Sequence, residues 1–573
     1  MRPARVLVPV GLLLLAAAVA ARAQDAERIK PKEPKPKAPP TRIEAPVPKA
    51  EGDATPLVAA LKGIRFVPHQ KDVAKPPPPI TGIDTSAVPF LGTAAFRDQI
   101  HPFLGKPVSM GALLRIRRIA MVYCQKHDRP FVEVAIPEQD ITAGVVQLVV
   151  YEAMAGKMTV TGNRYFRDGL FLRRVRFPKG DPIRASHIVA DIDALNRNAF
   201  RTVRPVFAPG KQPGTSDMEL QVTDRFPLRV FAGFENSGSR STGRGRLLSG
   251  FNWGNAFGLD HELSYQVMAD STWHRSRSHS LVYRAPLPNG HMVVLNASVS
   301  DYTSPAGNGL DQDGSSWELG GRYVVPLPAV GAWRHSVGAG FNWKSYDSDL
   351  QFGGDTVFAN TVRIAQFALD YSGSAPDPLG VTSLVVSGYA SPGWFHDSGD
   401  KDNFEAARAE TAPEYLYATA SLERQWALPC RMTLVNRLAG QVSNDRLQSS
   451  EQFGVGGYTS VRGYDERVAN GDQGLFASVE LRSPDWMLGS LPCDRALTNS
   501  LQFLAFCDYG VATVRDQEPG ERASLNLLGA GLGLRYRLGD HVDLRCDYAW
   551  PLRDIPFERQ PAGQFHFGFI VSY

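Results

Sequence analysis

Past its first two dozen residues the chain has no apolar run of about eighteen residues, the least that a membrane-crossing helix needs, and its mean hydropathy is only −0.21. A bundle of membrane helices is thereby excluded. A membrane barrel is not, because only alternate residues of a barrel strand face lipid. Charge of one sign is lacking too: Lys+Arg 62 against Asp+Glu 58 leaves +4 over 573 residues, too weak a field to make nucleic acid a partner. Cysteine is scarce. Cys124, Cys430, Cys493, Cys507 and Cys546 form no CxxC pair, which removes a disulfide scaffold, a zinc ribbon and a redox dithiol. Cys430 and Cys493 each follow Leu-Pro in a turn, so a bond between these two stays open. Catalytic signatures are missing as well, with no HExxH, GxSxG or Walker A string. Asp260-His261-Glu262 has no second His at ligand spacing, and Gly529, Gly531 and Gly533 alternate in a strand with no helix to receive a phosphate. No catalytic residue, metal or cofactor is expected, and the chain is not expected to be an enzyme.

What is present begins with Arg2 and Arg5, ahead of an apolar stretch over residues 6–21 and the string Ala21-Arg22-Ala23. That pattern predicts an export signal, residues 1–23, removed before Gln24. Residues 24–56 alternate Pro with Lys and Glu (PKEPKPKAPP, then EAPVPKAEGD), a composition that buries no core and predicts a mobile, extended tether. Residues 57–153 carry the order strand, helix, helix, strand, strand. The first strand is expected over 61–67 and a helix near 90–104. Ser109 is placed to cap a second helix, over 109–126, that turns Leu113, Ile116, Ala120 and Tyr123 to one face, and strands follow at 131–136 and 145–151. The same order recurs over 154–226, with helices near 166–174 and 184–198 and strands at 158–162, 203–208 and 218–222. One α/β module is duplicated.

From Pro227 onward helical periodicity gives way to period-two alternation in stretches of about ten residues. Short turns, marked by Pro-Leu-Pro at 286–288 and 326–328, alternate with long polar stretches, and 301–316 and 449–474 are expected to be long loops. One short rim and one long rim is the asymmetry of an outer-membrane barrel. At about ten residues per tilted strand, residues 227–573 hold about sixteen antiparallel strands, and about fourteen or about eighteen would also fit. The fold class expected is α+β modules followed by an all-β transmembrane barrel.

Short strings along the chain carry a family likeness. FLGKP (103–107), IPEQDITAG (136–144), TGNRYF (161–166) and LNRNAFR (195–201) resemble the two periplasmic POTRA modules of two-partner secretion transporters, the haemolysin secretion/activation family. GGYTSVRGYDERVANGDQG (456–474) and FCDYG (506–510) resemble two barrel signatures of the wider POTRA-barrel superfamily. These are Val-Arg-Gly-Tyr/Phe on a long inward-folded loop and Phe-x-Asp-x-Gly on a nearby strand. Ala199 stands where that likeness expects Pro, which touches only the local loop. The resemblance implies a protein of the bacterial outer membrane with its POTRA modules in the periplasm. Its cargo would be an unfolded partner exoprotein, adhesin or haemolysin in type, with an N-terminal secretion domain. An assembly factor that inserts other barrels is the alternative, although such relatives usually carry more modules. Many relatives begin with a helix that plugs the pore; the prolines of 31–56 forbid a long helix here.

Site residues follow from the same strings. An unfolded chain can add as a strand to the exposed edge of each module, which nominates Phe131, Val132, Val134, Val203 and Val206. In 501–514 the odd positions Leu501, Phe503, Ala505, Cys507, Tyr509 and Val511 are apolar, so the even face, with Phe506, Asp508 and Gly510, is expected to line the lumen. Arg462, beside Gly463 and Tyr464 at the tip of the long loop, is expected to meet Asp508 through two parallel hydrogen bonds that Lys could not reproduce. Glu480, one strand away, is the competing carboxylate. The last strand sets Phe565, Phe567, Phe569 and Tyr573 on one face, as in the terminal strand by which barrel assembly machinery recognises outer-membrane barrels. That face would meet outer-membrane lipid.

Overall fold

The computed structural model describes residues 30–36, 41, 43, 46–239, 242–307, 310–352, 355–393, 398–491, 494–518, 521–556 and 562–573. The expected export signal lies outside them. The chain divides into two bodies, one of Ala38–Arg197 with Arg201–Arg225, the other of Met1–Lys37, Asn198–Phe200 and Phe226–Tyr573.

The first body contains two mixed sheets of one plan. In the first sheet the order is Gly82–Asp84, Gly63–Val67, Val145–Glu152, Val132–Ala135; Gly63–Val67 lies parallel to Val145–Glu152, and Val132–Ala135 runs antiparallel along the edge. In the second sheet Met154–Thr161 is parallel to Thr215–Asp224, and Arg201–Pro209 forms the antiparallel edge. Helices Ala94–Ile100 and Met110–Lys126 start where the Thr93 and Ser109 hydroxyls accept from the amides of Phe96 and Ala112, each at 3.2 Å. They bury Phe96, Ile116 and Ala120 against Phe66 and Leu148. The second pair, Asp168–Arg174 and Ala185–Leu195, is shorter than the periodicity suggests. The longer one stops because Asn196 accepts from the Val203 amide (2.7 Å) and donates to the Val203 carbonyl (3.0 Å), turning the chain into the edge strand. Strand Gly82–Asp84 has no sequence signal, coming just after four prolines.

Two of the short strings hold these modules together from within. Gln139 accepts from the Gln147 amide and donates to the Gln147 carbonyl, both at 2.7 Å, so a side chain stands in for a neighbouring strand. The amides of Arg164, Tyr165 and Phe166 all donate to the Asp224 carboxylate, at 3.0, 2.7 and 3.1 Å. Arg201 is buried beneath the rings of Phe166 and Phe171.

The second body is a closed antiparallel barrel of sixteen strands, joined where Leu228–Glu235 pairs with Gln564–Ser572 (Phe231 opposite Ser572, Glu235 opposite Gly568). Strand Trp486–Leu491 prolongs the twelfth, Gln473–Arg482, along its neighbour Asp494–Thr513. Alternation sorts the residues: Leu319, Trp343, Leu369, Phe503 and Leu532 face outward and exposed, while Asn252, Gln266, Asn342, Gln366 and Asp508 are buried on the inner wall. Two expectations fail here. Residues 301–316 are not a loop: Met292–Gly307 and Leu310–Pro326 run through them as one hairpin, Ser300 opposite Ser316. Ladder bonds need no apolar side chains, so a polar stretch can hold strand where no lipid or core is to be met. The tether is not free throughout either. The Lys32 amide donates to Gln266 Oε1 (3.1 Å), its carbonyl accepts from Arg229 (3.0 Å), its ammonium lies 3.5 Å from Glu235, and Glu33 pairs with Arg284. An extended chain with no core of its own still carries main-chain groups and charges that a polar wall can bind.

Burial pushes the Cys124 thiol up to about 12, whereas Cys430 lies exposed in its turn; Cys493 is outside the described residues. A maleimide added to the folded full-length chain is expected to modify Cys430 and to spare Cys124 until denaturant is added. Rapid labelling of Cys124 in the folded chain would contradict that burial.

Candidate functional site

Residues 444–472 leave the eleventh strand, Thr433–Ser443, and turn back into the barrel before the twelfth. Strands Phe453–Val455 and Ala469–Gly471 pair antiparallel and stiffen the two limbs. At the tip, Val461, Arg462, Gly463 and Tyr464 are all buried. Gly463 takes φ 98°, a backbone open to few other residues, and its amide donates to His566 Nε2 at 3.1 Å. The Tyr464 hydroxyl lies 2.8 Å from the Arg553 carbonyl and accepts from the Arg553 amide at 3.1 Å.

Arg462 is the centre of the site. Its Nε and Nη2 donate to Asp508 Oδ2 and Oδ1 at 2.6 and 2.8 Å, and its own amide reaches Oδ2 at 3.2 Å. Ser478 adds a bond to Asp508 Oδ1 at 2.7 Å. The guanidinium sits 3.4 Å from the centroid of Phe506. Gly510 leaves room for Val455 and Val461: a Cβ there would come within 2.7 Å of Val461 and 3.1 Å of Val455. The three spaced residues of the FCDYG string thus supply an aromatic face, a carboxylate and a clearance, all on the even side of one strand.

Glu480 is a second partner rather than a rival, 3.0 Å from Arg462 Nη2, and Asp547 lies 3.6 Å from Nη1. Both acids are shared. Glu480 also accepts from Arg437 (3.2 Å) and Arg482 (2.6 Å), and Asp547 from Arg535 (2.7 Å) and Arg545 (2.8 Å). Removing either member of a buried pair leaves the other charge uncompensated, at a cost of about 3–5 kcal/mol. Asp547, Arg437, Arg535 and Arg545 were not singled out from sequence, whereas Ser478 and Arg482 share the polar face of Glu480 and His566 lies opposite the aromatic row of the last strand. Asp547 carried a usable signal: it is an acid between Cys546 and Tyr548, on the polar face of an alternating strand, as Asp508 is.

The module residues are arranged differently. Val132, Val134 and Val203 are buried, their side chains facing inward, so they cannot themselves touch a passing chain. Alternation turns every second side chain of an edge strand into the core, and these three fall on that side. Val206 is 40% exposed, and Phe131 is partly covered by Phe207, with ring centroids 4.5 Å apart. On the last strand Phe565 and Tyr573 are exposed, while Phe567 and Phe569 lie within 6.5 Å of the Phe234 ring across the closing seam.

Residues 214–536, more than half the chain, match the family model described as haemolysin secretion/activation protein ShlB/FhaC/HecB. The chain belongs to this haemolysin secretion/activation family. Relatives include the outer membrane transporter CdiB of Dickeya dadantii, 24% identical over 400 residues and 68% of each chain, and the hemolysin transporter protein ShlB of Serratia marcescens, 25% identical over 497 residues and 84% of each chain. Among solved structures, CdiB from Escherichia coli superposes with a TM-score of 0.75 at 20% identity, covering 92% of this chain and 94% of that one. As a member of the family the chain is an outer-membrane transporter of the two-partner secretion class, exporting an exoprotein. Its barrel lies in the outer membrane and its N-terminal α/β modules in the periplasm. The strand ends next to Phe226 and Tyr573 are therefore periplasmic, and residues 444–472 enter the lumen from outside.

A Cβ placed on Gly529 would collide with the carbonyl of Arg462. Gly529→Ala is expected to lift the loop tip from the wall and to make 456–470 protease-sensitive in detergent-solubilised protein whose barrel still resists unfolding on a gel. A protected loop in that variant would contradict the close approach.

Proposed function

We propose that the transporter takes up its exoprotein unfolded, by strand addition to the edges of its two modules (57–153 and 154–226), and passes it through the barrel (227–573) once the tip of 444–472 leaves the wall. The observation that carries the reading is the two-point grip of Arg462 on Asp508, a contact inside the lumen that joins a mobile type of element to a fixed one. Strands Val132–Ala135 and Arg201–Pro209 lie at sheet edges, which favours a cargo recognised through backbone and with little demand on sequence, although on the second edge Asn196 already holds Val203 and Pro205 and Pro209 offer no amide. With Val132, Val134 and Val203 turned inward, Val206 and Phe131 are the side chains left to grade that binding.

The cargo fits the adhesin or haemolysin type with its own N-terminal secretion domain, given the relatives that carry the name hemolysin transporter. Residues 1–23 serve as the export signal. The outward row Phe565, Phe567, Phe569 and Tyr573 suits recognition by barrel assembly machinery and then contact with lipid. No step calls for a catalytic residue, a metal or a cofactor.

Export of the partner exoprotein is to be measured in cells carrying Arg462→Ala, Asp508→Ala or the charge-swapped pair, with barrel abundance checked in each. Both single variants are expected to lose most export. Near-normal export from both, at unchanged abundance, would reject Arg462–Asp508 as a working lock.

A further inference from the structure

The tip is not where the loop first meets the barrel. Ten residues earlier on the chain, Glu451 is buried and receives Lys344 Nζ at 2.9 and 3.1 Å, the Tyr417 hydroxyl at 2.7 Å, Gln366 Nε2 at 3.3 Å and the neighbouring Ser450 hydroxyl at 3.2 Å. Lys344 is wholly inaccessible, and among the described contacts its ammonium has this one acidic partner. Gln366 is oriented in turn by Tyr415, 3.0 Å away. Five hydrogen bonds from four side chains converge on this one carboxylate, and among the described contacts none joins it to the Arg462 network.

Its place in the barrel gives it meaning. Lys344 lies on the seventh strand, Arg334–Phe352, Gln366 on the eighth, Asp355–Asp377, and Tyr417 on the tenth, Glu414–Ala427. Arg462 grips the twelfth, thirteenth and fifteenth strands, Gln473–Arg482, Asp494–Thr513 and Val542–Pro551. In a ring of sixteen, the seventh and fifteenth strands are diametrically opposed. The loop is thus fastened to two successive arcs of the wall, the seventh to tenth strands through Glu451 and the twelfth to fifteenth through Arg462.

A cover lies over the Glu451 side. Helix Ser398–Ala407, in the outer connection between the ninth strand, Gly380–Pro392, and the tenth, buries Phe404 against Val362, Ile364, Tyr389, Tyr417 and Leu447. Arg408, just past the helix, pairs with Asp472 at the root of the loop (2.6 Å) and also donates to the Leu447 carbonyl. Gln448 donates to the Phe404 carbonyl (2.8 Å). Helix and loop root therefore move together or not at all. The apolar cap keeps water from the Lys344–Glu451 pair, and a charged pair held dry resists separation more strongly than a wet one.

We propose that Lys344 and Glu451, under the helix Ser398–Ala407, form a second lock at the seventh to tenth strands, apart from Asp508 on the thirteenth, so that release of the tip alone leaves the loop fastened and passage of the exoprotein requires this pair to part as well. Both are positioning residues: they act on cargo only by holding the loop. The inference rests on the reading of the lumen as the export path.

Single-channel conductance of the full-length transporter in a planar lipid bilayer tests it without any exoprotein present. Lys344→Met and Glu451→Gln are expected to raise the fraction of time open about tenfold or more over the wild type, and Tyr417→Phe, which removes one donor and strands no charge, by a smaller factor. Each variant is first checked for the heat-modifiable gel mobility of a folded barrel. Should the two charge variants not fold, the Tyr417→Phe result decides. Wild-type conductance in the folded variants would overturn the second lock, whatever export does. Raised conductance together with no export of the partner exoprotein by the wild type would leave the lock standing and reject the export path.

Discussion

A sixteen-stranded barrel is wider than its own side chains can fill, and left open it is a hole in the membrane. In this transporter segments of polypeptide lie against the inner wall, and they are held there by charge. Lys32 and Glu33 lie against the first four strands, Glu451 against the seventh to tenth, and Arg462 against the twelfth to fifteenth. Each fastening pairs a residue of a loop or tail with an opposite charge on the inner wall.

Ion pairs suit that task where an apolar plug would not. Buried between donors, Arg462 with Asp508 and Glu451 with Lys344 are specific and strong. In water each partner is well solvated, so the same contacts cost little to replace once an entering chain brings water and its own polar backbone. An apolar plug would leave behind exposed hydrophobic surface on loop and wall together. Glu480 and Asp547 are each shared among several arginines, so these two acids stay compensated whether or not the tip is present.

How much of this was legible in the sequence depends on period. Alternation separates lipid face from lumen face in 501–514 because Gln502 and Asp508 fall on the even face while the odd positions from Leu501 to Val511 stay apolar, and it announces the last strand through its row of aromatics. The family-like strings added the Arg462 partner, which no period could supply. Period fails where composition stays polar on both faces, so the hairpin through 301–316 read as loop, and where there is none, so the docked Lys32 and Glu33 read as free tether. It also gives an edge strand without saying which side is core, and Val132, Val134 and Val203 fell on the buried side. Lys344 and Glu451 stand more than a hundred residues apart on unrelated patterns; only the closed ring brings them together.

The loop tip is expected to leave the wall when cargo occupies the lumen. The direct measurement is the distance, by pulsed electron spin resonance, between a label at the exposed tip residue Thr459 and one at the outward-facing Val479, in full-length transporter with its native thiols replaced. A single narrow distance is expected at rest, with a second, displaced population when the exoprotein is stalled in transit. An unchanged single distance with stalled exoprotein in place would mean that the tip stays on the wall during export, against this expectation.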